Sequence, residues 1–143
     1  MKKKTTLYMS EAVANAVKIQ EPHDLMENVL NQIENTIKDD ISIDFLAENL
    51  RVSRGHLQRL FKFTFKQPLG AYIRSRKLSA SLENISDTSF KIIDIAMEYG
   101  FGYEQSYIRS FRREFGVTPG IIRRTGQKVK TTPPLNLHDT KCS

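Results

Sequence analysis

The sequence has no tryptophan and one cysteine, Cys142, next to the last residue. A lone cysteine closes no internal disulfide, so a packed core must hold the chain together, and a reducing compartment suits it. No apolar run approaches the ~20 residues of a membrane-spanning helix. Lys2-Lys3-Lys4 resembles the start of a signal peptide, but no apolar stretch follows. These absences lead us to expect a soluble, cytoplasmic protein with no membrane partner. His23, His56 and His138 are not at metal-ligand spacing, and no nucleophile–base set accompanies them. The expectation is a protein that is not an enzyme, with no metal and no cofactor. The most telling absence is acidic: from Arg51 through Leu82 there is no Asp or Glu.

That acid-free stretch carries Arg51, Arg54, Arg59, Lys62, Lys66, Arg74, Arg76 and Lys77. Acidic residues gather on either side, at Glu34, Asp39, Asp40, Asp44 and Glu48, then at Glu83, Asp87, Asp94 and Glu98. A solvated face mixes signs, so a segregated basic run points to an anionic partner. The whole chain agrees, with a formal net charge of +6 and a pI near 9.5 over 143 residues. That length suits one compact domain or two small lobes with tails.

Apolar spacing predicts an all-α fold of about seven helices. Residues 1–22 read as an N-terminal arm, with a helical turn around Ser10 to Lys18. A first helix from about Asp24 to Ile37 places Leu25, Val29, Ile33 and Ile37 on one stripe, with Asp24 as its cap. Ser42 caps a second helix with Ile43, Leu46, Ala47 and Leu50 inward. Ser53 caps a third, reaching about Lys66. Pro68 starts a fourth that runs to about Ile85. Ser89 caps a fifth, which Gly100 ends with a left-handed turn. The sixth spans about Tyr103 to Phe115, and Thr118-Pro119 opens a last one through Arg124. Phe61 to Phe65 also alternates with period two, but its flanks keep helical spacing and no turn isolates it.

The same unit occurs twice. Ala47, Val52, Leu57, Phe61 and Phe65 recur as Ala96, Phe101, Tyr107, Phe111 and Phe115, about 50 positions later. A small residue, a short turn, then apolar residues about four apart describe two short helices crossing over a shared core. The chain therefore divides into 1–22, an arm; 23–67, a first helix-turn-helix subdomain; 68–86, a linker helix; 87–125, a second subdomain; and 126–143, a tail. The aromatic residues at helical spacing read as core rather than as platforms for stacked bases.

The outer faces carry the chemistry. The major groove of B-DNA admits one α-helix, and Arg and Gln read guanine and adenine edges bidentately. Gln58 and Arg59 sit on the third helix, Gln105 and Arg109 on the sixth. Ser53 and Ser106 are short donors for a phosphate or a base. Arg54, His56, Lys62, Arg74, Arg112 and Arg123 are expected on phosphates, which set register without carrying sequence information. A fourth helix of some 18 residues spans ~27 Å. Used as a spacer, it would hold the two reading helices roughly one DNA turn, ~34 Å, apart. One chain would then read an asymmetric site.

Several strings resemble the AraC/XylS family of bacterial transcription regulators. They are Ser53-Arg54-Gly55-His56-Leu57-Gln58-Arg59-Leu60-Phe61-Lys62, Tyr72-Ile73-Arg74-Ser75-Arg76-Lys77-Leu78, and Ile95-Ala96-Met97-Glu98-Tyr99-Gly100-Phe101. Ser110-Phe111-Arg112-Arg113 and Phe115-Gly116-Val117-Thr118-Pro119 complete the pattern, which covers about 24 to 124. The chain is similar to the short, single-domain members, down to Pro134-Leu135-Asn136. The resemblance implies two homeodomain-like helix-turn-helix units on a linker helix, bound as a monomer to double-stranded promoter DNA. It implies activation through RNA polymerase and a place on the bacterial nucleoid. It puts base-reading positions on Gly55, Gln58 and Arg59 and on Glu104, Gln105, Ser106 and Arg109. Arg74, Arg123 and Ser53 fall on phosphate positions.

Four positions depart from the pattern. Gly55 stands in place of a bulky aromatic, Glu104 in place of Gln and Ile108 in place of Thr. Arg51 occupies the turn position that Gly fills in the second motif, where a left-handed backbone costs it ~1–2 kcal/mol. The target sequence is therefore expected to differ from that of relatives. The rival readings are an RNA-binding or protein-binding helical module, which does not need two matched reading helices, and an alkyl-accepting protein, for which Cys142 lacks a folded surround. The short flanks predict control by abundance rather than by a small-molecule effector.

Overall fold

The computed structural model describes residues 21–137; the turn expected at Ser10–Lys18, His138 and Cys142 lie outside them. Among the described residues there are seven helices and no strand: α1 (Pro22–Asn35), α2 (Ile43–Asn49), α3 (Arg54–Phe65), α4 (Leu69–Ile85), α5 (Ile92–Glu98), α6 (Glu104–Phe115) and α7 (Pro119–Thr125). None of them is long and apolar enough to cross a membrane.

The helix starts follow cap chemistry, with two corrections. Ser42 and Thr118 accept hydrogen bonds from the amides of Phe45 and Ile121, at 3.0 and 3.3 Å. Asp24, expected as a cap, lies inside α1, which starts at Pro22 with Glu21 extended before it. Proline needs no amide partner in a first turn, so the start moves upstream. Ser89 is no cap either. Its amide and hydroxyl both donate to Asp87 Oδ1, at 3.0 and 2.7 Å. That turn uses up the chain before α5, whose cap position falls to Lys91.

Two apolar cores lie side by side. The first joins Leu25, Val29, Ile33, Leu46, Leu57 and Phe61. The second joins Ile95, Ala96, Tyr99, Tyr107 and Phe111. The linker helix belongs to both: Leu69, Tyr72 and Ile73 enter the first core, Leu78 and Ile85 the second. At ~1.5 Å per residue α4 is ~26 Å long. It is a shared wall, one half per lobe, rather than a rod between them. Ring pairs repeat across the two cores, with Phe61–Phe65 centroids 4.8 Å apart and Phe111–Phe115 4.7 Å apart.

The segment after Gly126 departs from the expected tail. Thr132 N donates to Ser79 Oγ at 2.8 Å, Leu135 N donates to Tyr72 Oη at 2.9 Å, and Leu135 and Leu137 pack on the first core. Residues 127–137 therefore form a strap along α4. Two members of the basic run are buried as well. Arg76 donates Nε and Nη2 to the two carboxylate oxygens of Glu34, both at 2.8 Å, and Nη1 to Thr132 O at 2.6 Å. The hydrogen-bonded Glu34 carboxylate raises the Arg76 pKa above arginine's ordinary value and supplies the counter-charge that the buried guanidinium needs. Lys77 is buried beside it. Neither contributes to the basic surface that the sequence pattern implied.

Candidate nucleic-acid interface

Each reading helix follows a tight left-handed turn. Arg51 has φ 61° ahead of α3, and Gly100 has φ 78° ahead of α6. Each also ends in a left-handed residue, Lys66 at φ 63° and Gly116 at φ 81°. The motif is repeated in backbone as well as in sequence.

On α3, Leu57, Phe61 and Phe65 are buried, leaving Arg54, His56, Arg59 and Lys62 exposed. Ser53 Oγ caps the helix by accepting from His56 N at 3.1 Å. Arg54 Nη1 lies 3.1 Å from Asp44 Oδ2 in an exposed ion pair, so its charge is partly answered within the protein. A Cβ at Gly55 would meet only the tip of the exposed Arg59 side chain, with Nη1 at 2.9 Å, so the fold does not itself require glycine there. The guanidinium lies back over the glycine. Gln58, Arg59 and Lys62 line a shallow open groove with Ile43 of α2 and Pro68 to Ala71 at the start of α4.

The second motif repeats the arrangement. Tyr107 and Phe111 are buried on α6, while Gln105, Arg109, Arg112 and Arg113 are exposed. Gln105, Ile108, Arg109 and Arg112 line a matching groove with Arg113 and Thr118. Helical periodicity puts Arg113 on the polar side of α6, whereas Thr118, the cap of α7, reaches the groove only through the fold. Ser106 is half-buried. Glu104 is the first residue of α6, which has no side-chain cap, and a carboxylate there offsets the positive end of the helix dipole. Glu104 thus has a structural role whatever it touches outside.

Two expected phosphate contacts lie away from these helices. Arg74 is exposed on α4. Arg123 is engaged inside the protein: Nε donates to Ile85 O at 2.7 Å and Nη2 to Asp87 O at 3.2 Å. It ties α7 to the end of α4. Among the described residues no group of three or more His, Cys, Asp or Glu is placed to hold a metal.

Two tight-turned helix pairs with basic outer faces on one body define a double helix-turn-helix protein. Residues 46–125 match the family described as a helix-turn-helix domain. The chain belongs to the AraC/XylS family of helix-turn-helix transcription regulators. It is similar to the multiple antibiotic resistance protein MarA of Escherichia coli, 31% identical over 117 residues, 80% of this chain and 92% of that protein. It is also similar to the transcriptional regulator Rob of Salmonella typhimurium, 35% identical over 115 residues, 79% of this chain. That match spans 40% of the length of Rob. Among solved structures, the C-terminal domain of the two-component response regulator yesN from Fusobacterium nucleatum superposes with a TM-score of 0.67 at 27% identity, covering 70% of this chain and 98% of that one.

Proposed function

We propose that this chain binds double-stranded promoter DNA as a monomer, placing α3 and α6 in successive major grooves on one side of an asymmetric site. The observation that carries the reading is the register of the two outer faces. Arg59 and Lys62 on α3 correspond to Arg109 and Arg112 on α6, each set beside its own groove. Gly55, Gln58 and Arg59, with Glu104, Gln105, Ser106 and Arg109, face base edges in this reading. Ser53, Arg54, His56, Lys62, Arg74 and Arg112 face phosphates. Arg123 joins them only by giving part of its guanidinium, since Nε and Nη2 already serve backbone carbonyls.

Bound in this way on the nucleoid, the protein activates transcription by contacting RNA polymerase. The activating outcome is supported by one relative's name, the HTH-type transcriptional activator AarP of Providencia stuartii; the polymerase contact is the proposal's own step. The binding test is a titration of the purified chain by fluorescence anisotropy against duplex selected in vitro, random duplex and single-stranded RNA. One protein per selected duplex, with a preference over random duplex of at least ~10³-fold, is expected. Equal affinity for single-stranded RNA would favour the rival RNA-binding module. The polymerase step is tested by transcription in vitro from a promoter carrying the selected site. No rise in transcript would remove it while leaving DNA binding intact.

A further inference from the structure

Lys77 sits midway along α4, where the halves of that helix pass from one core to the other. Its Nζ donates to Ile37 O at 2.8 Å, to Tyr99 O at 3.1 Å and to Asp39 O. An ammonium group has three hydrogens to donate, and here all three go to backbone carbonyls. Two of those carbonyls follow α1 in the first lobe. The third belongs to Tyr99, which ends α5 in the second. Lys77 therefore holds one piece of each lobe at the same nitrogen atom.

The rest of the seam supports that point. Lys38 Nζ pairs with Glu98 Oε2 at 2.8 Å, joining the loop after α1 to the last residue of α5. Gly100 lies so close to that loop that a Cβ would come within 3.0 Å of Asp39 O. Gly100 is also a left-handed residue of the turn that launches α6. The clasp thus holds the turn from which the second reading helix starts. Burial pushes the Lys77 ammonium below a free lysine's pKa, and the nearby carboxylates of Asp40 and Asp39 push it back up.

From this geometry we infer that Lys77 sets the spacing between DNA half-sites that the protein accepts, by clasping both lobes so that α3 and α6 keep one separation and one relative rotation. The inference rests on the two-groove reading above. Inserting one base pair between half-sites moves them apart by ~3.4 Å and turns them by ~34°. A clasped body does not follow that change, whereas two lobes sharing only a helix follow it by flexing. Lys77 touches no DNA in this account and acts as a positioning residue.

The test measures affinity of the full chain for the selected duplex and for versions with one base pair inserted or deleted between the half-sites. Wild type should lose about tenfold or more for either change. Lys77→Met keeps the apolar stem and removes all three donors. It should bind the parent site more weakly and pay less than about threefold for the inserted or deleted pair. Lys77→Arg should restore most of the discrimination. A Lys77→Met protein that folds and keeps the full spacing penalty overturns the inference. Should Lys77→Met fail to fold, Lys77→Gln, with two donors left, takes its place under the same criterion. If Lys77→Gln also fails to fold, the inference is overturned, because it makes Lys77 a clasp between lobes and not a condition for folding either one. Should wild type itself ignore spacing, the two-groove reading fails first, which separates the two failures.

Discussion

Arg51 and Gly100 occupy the same position in the two motifs, at φ 61° and φ 78°, but only Arg51 has room for its side chain. Arg51 is exposed, whereas Gly100 abuts Asp39 O. Arg51→Gly should relieve ~1–2 kcal/mol of left-handed strain and lose ~0.5–1 kcal/mol to the freer unfolded chain. The net expectation is a gain of about 0.5–1 kcal/mol. Gly100→Ala should cost at least ~2 kcal/mol, because strain adds to the close approach of a backbone oxygen. Urea unfolding of the two variants checks both signs.

The strap and the Arg76–Glu34 pair hold α1 against α4. Glu34→Ala leaves a buried guanidinium without its counter-ion. With the Arg76 side chain 10% exposed and that of Glu34 31%, a loss of about 2–3 kcal/mol is expected, below the range for fully buried pairs. Replacing both, as Glu34→Leu with Arg76→Met, should recover most of it. Leu135→Ala and Leu137→Ala should each cost ~1–2 kcal/mol, less than a full core leucine, since both are half-buried. No effect from either leucine variant in urea unfolding would contradict the strap.

Much of this architecture was legible in the chain. The returns every four residues of Leu57, Phe61 and Phe65, and of Tyr107, Phe111 and Phe115, are local signals, and so are Ser42, Ser53 and Thr118 as caps. What escaped was set by distant partners. Arg76 and Lys77 look like members of a surface basic run. Their acceptors are a carboxylate some 40 positions away and backbone carbonyls, which any residue type supplies. The strap was hidden for the same reason, since Thr132 and Leu135 dock through main-chain amides. Of the interface, the outer faces of α3 and α6 could be listed from periodicity. The engagement of Arg123 with Ile85 O could not, because its charge suits a phosphate equally well.

Tyr107 gives a pH signature. Its hydroxyl lies 2.7 Å from Ser81 Oγ in the second core, and burial pushes its pKa up from 10.0 to about 12. The native state keeps this proton where the unfolded chain releases it, so the contribution is complete below pH ~10 and is lost as pH rises toward 12. Unfolding followed from pH 8 to 12 should show an alkaline decline that Tyr107→Phe flattens. An unchanged decline would assign it to other groups.

The side chains assigned to DNA separate by what each change does to specificity. Arg59→Ala or Gln105→Ala should cost ~1–3 kcal/mol of binding and relax preference at one base pair. Lys62→Ala should weaken every sequence about equally and reduce the salt slope by about one. Competition binding across single-base variants of the selected site, repeated over a salt series, measures both. If Arg59→Ala leaves affinity and preference intact, α3 is not a reading helix.

Hydroxyl-radical footprinting of the monomer on its selected duplex addresses the central claim most directly. Two protected windows on one side of the helix, their centres about 10 base pairs apart, are predicted. Protection limited to a single window would contradict the paired insertion of α3 and α6.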